Sequence, residues 1–252
     1  MLKINNLKKI YRNREEIKVF ENLNININKS EFVAVFGPNG CGKSTLLNAI
    51  AGITDVDEGT VVFDDKRADY LNVGFVFQDY KSSLFPWLNA RENITFPLRI
   101  KNVPKNKADS LVKKIYEKYD CNFKLEAYPY ELSGGQQQFV ALLRSLIINP
   151  DIFLLDEPFS SLDYQTTLLL LEKFTFIWNE LKITTLFVSH EIDDAIFLAQ
   201  KIILLSNKPT RIIKTFSVPM SYPRKLSFMG SKQFNDIKRD ILTLYAREIR
   251  SN

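Results

Sequence analysis

The sequence predicts an α/β protein built on a mainly parallel sheet, and two patterns carry this prediction. Short, mostly apolar runs that are typical of strands buried on both faces recur along the chain. They are Val33–Phe36, Val73–Phe77, Ile152–Leu155, Thr184–Val188 and Ile202–Leu205. Helix-forming segments separate these runs, and an alternation of strands with helices favours parallel pairing.

Local patterns predict the other elements. Residues Leu23–Asn28 alternate apolar and polar side chains as a half-buried strand does, and Val61–Phe63 predicts a further strand. A helix is predicted from about Lys43 to Gly52. Residues of about 80–135 contain Pro86, Pro97 and Pro104 and then a helical spacing of apolar side chains, which predicts an inserted, mostly helical lobe.

The composition is that of an ordinary globular protein. Hydrophobic residues make up 45% and charged residues 25% of the 252 residues, which excludes a fully disordered chain. Cys41 and Cys121 lie far apart and form no disulfide framework or metal-type spacing. The first residues do not form a signal-peptide pattern, and no run approaches the ~18 apolar residues that a membrane-spanning helix needs. We therefore expect a reducing, cytoplasmic location.

A glycine-rich segment follows the predicted strand Val33–Phe36 and opens the predicted helix. It fits the pattern G-x-x-x-x-G-K-[ST] and continues into Thr45: Gly37, Pro38, Asn39, Gly40, Cys41, Gly42, Lys43, Ser44 and Thr45. Glycines let the backbone curl so that N–H groups point at phosphate oxygens, and the helix start adds its positive dipole end. Lys43 is the candidate for binding the β- and γ-phosphates and Ser44 for ligating Mg²⁺. The segment predicts a nucleotide site.

A second element of that site follows another apolar run. Asp156 stands at the end of the strand that begins at Ile152, and ligands bind at the carboxyl ends of strands in open parallel sheets. Asp156 is the candidate for holding the water shell of the metal. Glu157 is the candidate general base for the attacking water, since that role needs a carboxylate within reach of the water.

Between these two elements lies Leu132-Ser133-Gly134-Gly135-Gln136. With this segment the chain resembles the ATP-binding cassette (ABC) family, whose signature is LSGGQ, and the resemblance covers residues 1 to about 215. It implies ATP and Mg²⁺ as cofactors and ATP hydrolysis as the activity. It also implies an antiparallel N-terminal β subdomain beside the phosphate-loop core.

The resemblance implies further site residues. Tyr11 resembles the aromatic residue that stacks on adenine, although an ordinary core or surface tyrosine remains an alternative. Gln78 resembles the glutamine that senses Mg²⁺ and the water, and His190, the single histidine, resembles the switch histidine that touches the γ-phosphate. Asp163 resembles the D-loop residue that meets a partner subunit. The predicted catalytic residues are Glu157, His190, Gln78 and Lys43, and the predicted metal ligands are Ser44, Gln78 and Asp156.

The signature residues Ser133, Gly134, Gly135 and Gln136 are expected to act in a homodimer. They belong to the predicted helical lobe and are not expected at the phosphate loop of their own chain. Backbone N–H groups at a helix start form an anion site. The resemblance implies that they close over the γ-phosphate held by the other copy.

The resemblance extends to importer subunits. The apolar segment Leu84, Phe85, Pro86, Trp87 and Leu88 lies where the family docks a transmembrane permease, with local core packing as the alternative. This segment and residues 190–213 resemble nitrate, sulfonate and taurine importers, and importers of thiamine precursors carry similar ATPases. The chain is thus expected on the inner face of the cell membrane, in indirect contact with a solute-binding protein. The alternative is a soluble cassette ATPase without a transport role; no nucleic-acid partner is expected.

The last quarter of the chain is basic. Residues 201–252 hold 11 basic and 3 acidic side chains, which suits an anionic membrane surface or, more simply, a solvated helix face. Residues 1–220 are predicted to form the ATPase domain. Residues 221–252 are predicted to form a basic amphipathic helical extension that ATP binding does not need. The sequence departs from the family pattern in two places. Gln137-Gln138-Phe139 replaces a common Arg-Gln-Arg, and Thr210 replaces a common glycine.

Overall fold

The computed structural model describes residues 1–12, 15–64, 66–67 and 71–250. The strands are β1 (Leu2–Arg12), β2 (Glu16–Ile27), β3 (Phe32–Phe36), β4 (Glu58–Phe63), β5 (Lys66–Arg67), β6 (Val73–Val76), β7 (Ile152–Asp156), β8 (Thr184–Val188), β9 (Lys201–Leu205) and β10 (Ile212–Ser217). The helices are α1 (Lys43–Ile50), α2 (Tyr80–Ser83), α3 (Ala90–Ile100), α4 (Lys105–Lys118), α5 (Gly134–Leu146), α6 (Tyr164–Leu181), α7 (Ile192–Leu198) and α8 (Lys232–Arg250).

The central sheet has the order β10–β9–β3–β8–β7–β6. All neighbouring strands in it are parallel except β10, which pairs antiparallel with β9. Every residue of β3, β7 and β8 is buried, as expected for strands covered by helices on both faces. The predicted α/β class with a mainly parallel sheet is confirmed.

A separate antiparallel sheet has the order β2–β1–β4–β5 and confirms the predicted N-terminal β subdomain. Its alternating buried side chains, among them Leu23, Ile25 and Ile27 of β2, pack with Leu46 and Leu47 of α1 in one apolar cluster. This packing holds the antiparallel sheet against the helix that follows the glycine-rich loop.

Helices α2 to α5 form the predicted helical segment. Helix α3 begins at a capping box in which the Asn89 side chain and Glu92 satisfy each other's backbone N–H groups. Helix α5 continues to Leu146, beyond the predicted limit of about 135, because its apolar face, including Phe139 and Leu143, packs in the main core. The limits of the lobe and of the two domains stay a prediction.

The C-terminal segment packs on the core instead of standing apart from it. Phe234 and Ile241 on α8 are buried, and the Tyr245 ring lies 5.0 Å from that of Phe36, the residue just before the glycine-rich loop. Arg224 is 2% exposed. The boundary at residue 220, and the expectation that ATP binding does not need residues 221–252, stay predictions.

Part of the basic charge of residues 201–252 is taken up by intramolecular ion pairs. Lys201 pairs with Glu31, Lys238 with Asp193, and Arg239 with Asp236. These pairs favour the simpler interpretation of the basic tail as an ordinary solvated helix surface over a binding surface for membranes or nucleic acid. In the part of the chain that the structure describes, no helix is long and apolar enough to cross a membrane.

Candidate functional site

The glycine-rich loop connects β3 to α1 at the carboxyl edge of the parallel sheet. Gly40 and Gly42 have φ values of +75° and +111°, which side chains other than glycine rarely adopt. A Cβ on Gly42 would also lie 2.4 Å from the Val19 side chain. The loop therefore needs glycine at 42 both for its curl and for its contact with β2.

Lys43 and Ser44 occupy the first turn of α1. The Lys43 ammonium is buried and donates to the carbonyl oxygens of Gly37 and Pro38, each at 3.0 Å. The Ser44 hydroxyl donates to the Asp156 carboxylate at 3.1 Å. This contact brings together two residues that stand 112 positions apart in the sequence and that were both predicted as metal ligands.

The donor set around Ser44 suits a magnesium ion. Mg²⁺ prefers oxygen ligands and is commonly held by one or two protein oxygens plus substrate phosphates and water. Asp156 is 7% exposed, and burial raises the pKa of its carboxyl, although the hydrogen bond from Ser44 opposes that rise. A divalent cation would compensate this desolvated carboxylate, so Ser44 and Asp156 fit the group that the sequence predicts.

Glu157 is held by two other predicted site residues. Its Oε2 atom accepts from the Gln78 side-chain amide at 3.0 Å and lies 2.9 Å from His190 Nδ1. The Glu157 backbone has a φ of +46° and donates to the carbonyl of Val188. Residues other than glycine rarely adopt this left-handed backbone conformation, so the Glu157 backbone is locally strained. Such strain is common at functional sites, where the surrounding structure maintains it.

One cavity of about 540 Å³ joins these groups. It is lined by Asn39, Gly40, Gly42, Lys43, Ser44, Thr45, Gln78, Glu157, His190 and Lys208. Of the predicted loop residues, Gly37, Pro38 and Cys41 do not line it. The Cys41 side chain is buried, and this burial raises the pKa of its thiol.

The predicted signature residues lie elsewhere, at the start of α5. Ser133 caps this helix, its Oγ accepting from the Gln136 backbone while the Gln136 side chain accepts from the Ser133 N–H. A Cβ on Gly135 would lie 2.4 Å from Thr166 on α6. Gly134 follows the cap as the first residue of α5. None of the four residues lines the cavity.

Asp163 and Tyr11 also lie outside the cavity. Asp163 caps α6, and hydrogen bonds from Thr166 lower the pKa of its carboxyl. Tyr11 is 37% exposed on β1, with the Lys9 ammonium 5.0 Å from its ring centre. The roles of Asp163 at a partner subunit and of Tyr11 at adenine stay predictions.

The predicted docking segment divides into buried and exposed residues. Trp87 is 69% exposed, and its ring lies 5.5 Å from that of Phe85. Pro86 is exposed and Leu88 half-buried. Leu84 is 2% exposed in the core, so its inclusion in the docking surface was wrong because core packing already uses its side chain.

Two residues near the cavity had no predicted role. Lys208 lines the cavity, and the Thr210 hydroxyl donates to the carbonyl of Cys41 in the loop. The useful signal in the sequence was that threonine replaces a common glycine at position 210, because the threonine hydroxyl makes this contact. The position of Lys208 depends on strand order, which the local sequence does not reveal.

The fold and the site define a class of protein. A glycine-rich loop between a buried strand and a helix, a buried lysine and a strand-terminal Asp-Glu pair together describe a phosphate-loop nucleoside triphosphatase. The ABC transporter family matches residues 20–160. The chain belongs to this family and is one of its ATP-binding, ATP-hydrolysing cassettes.

Relatives support this assignment over nearly the whole chain. An uncharacterized ABC transporter ATP-binding protein of Methanocaldococcus jannaschii is 38% identical, over 98% of this chain and 92% of its own length. The aliphatic sulfonates import ATP-binding protein of Bacillus cereus is 39% identical, over 92% and 90% of the two chains. The nitrate import ATP-binding protein of Synechocystis is 38% identical, over 86% and 82%.

A solved structure shares the fold. It is the dimeric post-hydrolysis state of an ATP-binding cassette bound to ADP and Pi. It superposes with a TM-score of 0.76 at 31% identity and covers 88% of this chain and 100% of its own. The predicted family resemblance and fold class are thus confirmed.

Proposed function

We propose that the chain is the ATPase subunit of an importer for a small solute, with Glu157 as the general base. The observation that carries the catalytic part is the contact of one carboxylate oxygen with both Gln78 and His190, in the cavity that also exposes the phosphate-loop residues. A carboxylate held in this way is aimed at the space where a water would attack the terminal phosphate.

The residues divide the work of hydrolysis. Backbone N–H groups of the loop and the Lys43 ammonium bind the phosphate chain and offset its charge. Glu157 accepts the proton of the attacking water, while Gln78 and His190 orient the Glu157 carboxylate. Ser44, Asp156 and Gln78 would hold Mg²⁺, which would neutralise charge on the phosphate oxygens.

We propose further that two copies complete each ATP site. Ser133 and Gly135 lie at the start of α5, outside the cavity of their own chain, and a helix start is an anion site. The similar cassette bound to ADP and Pi is dimeric. The first turns of α5 and α6 lie side by side, with Gly135 against Thr166, so Asp163 and the signature can present one surface to a partner.

Replacing Glu157 with Gln tests the catalytic assignment. The amide keeps the size of the side chain but removes the base, so steady-state ATP hydrolysis should fall by about 10²- to 10⁴-fold. ATP binding should persist, and size-exclusion chromatography with ATP should show an accumulated dimer. Glu172→Gln on α6, a carboxylate away from the cavity, is the matched control. Hydrolysis by Glu157→Gln at the control rate would remove the general base from Glu157.

The permease is expected in the groove between the sheet edge and the helical lobe. This groove of about 590 Å³ is lined by residues including Phe75, Phe77, Phe85, Phe96 and Arg144. The Arg144 guanidinium donates to the Ser83 carbonyl at 2.7 Å and fixes α2 beside α5. The four phenylalanines that line the groove and the exposed Trp87 nearby suit the insertion of an apolar helix.

The relatives' names suggest the solute class, since they import aliphatic sulfonates and nitrate. We propose a small anion of this type, or a thiamine precursor, as the solute, and a location at the inner face of the membrane. Affinity capture of the chain from detergent-solubilised membranes should recover a polytopic membrane protein. Capture of ribosomes or DNA without such a protein would instead favour a soluble cassette ATPase.

A further inference from the structure

We infer that Lys208 is a further binding residue for the nucleotide, and that it contacts the phosphate chain from the side remote from the bond that is cleaved. Lys208 lines the same cavity as Lys43, Ser44 and Glu157. The inference rests on the proposed position of ATP in that cavity, and it adds to that proposal a second cation that has no role in the hydrolytic step.

Strand order places Lys208 beside the phosphate loop. Strand β9 pairs with β3 in parallel, Leu204 opposite Phe36, so the segment after β9 leaves the sheet at the same edge as the loop. The two backbones come close: a Cβ on Gly37 would lie 3.1 Å from both the carbonyl oxygen and the Cβ of Leu205. Lys208 follows three residues later.

The segment that carries Lys208 is fixed at both ends. The Thr210 N–H donates to the Val19 carbonyl at 2.8 Å, and the Thr210 hydroxyl donates to the Cys41 carbonyl inside the phosphate loop. On the other side, the Asn207 N–H donates to Glu248 of α8 at 3.1 Å. Lys208 is therefore held at the loop by its neighbours and not on a free hairpin tip.

The Lys208 ammonium is available to a ligand. Its side chain is exposed, and within the described residues no carboxylate forms an ion pair with it. A cation without a counter-charge at the wall of an anion site increases the local concentration of anionic ligands.

The sheet order also says which part of the nucleotide Lys208 meets. The strands lie in the order β9–β3–β8–β7, and the phosphate loop follows β3. On one side of β3, His190 comes after β8 and Glu157 after β7, whereas Lys208 comes after β9 on the other side. The hydrolytic groups and Lys208 therefore flank the loop from opposite sides. A residue so placed should bind ATP and ADP alike, because both retain the α- and β-phosphates.

The test is the affinity of Lys208→Met for nucleotide, measured by isothermal titration calorimetry. Methionine keeps the apolar stem and removes the charge. ADP is titrated directly, and ATP is titrated in a Glu157→Gln background so that it is not consumed. The dissociation constants of both nucleotides should rise by about two- to fivefold, as for the loss of one solvent-accessible ion pair. The rise should shrink at high salt, because ions screen exposed charges.

Three companion variants sharpen the result. Lys208→Arg should restore affinity and Lys208→Glu should weaken it more than Lys208→Met does. Lys214→Met, an exposed lysine on the same hairpin but outside the cavity, should bind as the unmodified protein does. Equal losses for Lys208→Met and Lys214→Met would overturn the inference, as would unchanged affinity or a loss for ATP without one for ADP. If the unmodified protein bound no ATP, the proposed function itself would fail.

Discussion

Arg224 lies inside the protein without an acidic partner among the described residues, and its replacement should reveal how firmly the C-terminal segment is built into the fold. It is 2% exposed, and burial lowers the pKa of its guanidinium. Its two terminal nitrogens donate to five carbonyl oxygens, those of Ile196, Phe197, Ala199, Val218 and Met220. Three of these acceptors lie in or just after the last turn of α7, so Arg224 also supplies the end of that helix with donors.

The cost of Arg224→Met can be worked from these contacts. Each buried carbonyl left without a donor costs about 1–3 kcal/mol, but the losses are not additive and some of these oxygens have other partners. Val218, for example, also accepts from the Met220 N–H at 2.8 Å. Removal of the buried charge recovers several kcal/mol of desolvation. The net loss should be about 3 kcal/mol, which for a chain of this size lowers the melting temperature by roughly 6–12 °C.

Differential scanning calorimetry of the ligand-free protein measures this loss. Arg211→Met is the control: this arginine is 74% exposed and lies 3.7 Å from Glu248, and such surface pairs contribute ~1 kcal/mol or less. Retention of the melting temperature by Arg224→Met, or equal shifts for both variants, would refute the view that buried hydrogen bonds of Arg224 hold the segment in place.

Two further predictions concern other regions. Burial, and then the charges of Glu191 and Asp193, raise the pKa of Asp194 to about 7, so the folded state favours the protonated carboxyl and loses stability as pH rises from about 4 to 7. Asp194→Asn should remove this loss, so its gain in the free energy of unfolding over the unmodified protein should be about 2–3 kcal/mol larger at pH 7 than at pH 5. Its excess in melting temperature should accordingly be larger at pH 7, and an excess independent of pH would contradict the assignment. Trp87→Ala should reduce membrane-protein capture, whereas Phe176→Ala, another exposed aromatic, should not; equal capture by both would exclude Trp87 from the docking surface.

The parts of the fold that could be predicted are those whose signal is local. A strand buried on both faces must be a continuous apolar run, and Ile152–Asp156 is one. The glycine-rich loop needs particular residue types at fixed spacing, so Gly42 and Lys43 were recognisable without a structure. The position of the proposed catalytic group was predictable for a related reason. Glu157 follows such a strand directly, His190 follows one after a single residue, and parallel strands bring their carboxyl ends to one edge.

What could not be predicted depends on contacts between distant segments. The amphipathic pattern of α8 shows that it has an apolar face, but nothing local shows that Tyr245 will cover Phe36. Arginine is rarely buried, so residue type gave no reason to place Arg224 in the core. Lys208 was assigned no role because β9 and β3 are neighbours in the sheet although about 160 residues separate them. Only the strand order makes that lysine part of the site.

The strand order also bears on how one chain could be only half of a working enzyme. Lys43, Glu157 and Lys208 all line the cavity, and the strands that precede Glu157 and Lys208 lie on opposite sides of β3. In the proposed arrangement, the side with Lys208 binds the α- and β-phosphates that stay with the nucleotide. The side with Glu157 acts on the γ-phosphate that is cleaved. The signature residues Ser133, Gly134, Gly135 and Gln136 do not line the cavity of their own chain, and Ser133 caps the start of α5. A second copy would place its signature residues beside the phosphate that is cleaved, which would make hydrolysis depend on closure of the dimer. Lys208 would contact the bound ADP in both the open and the closed state.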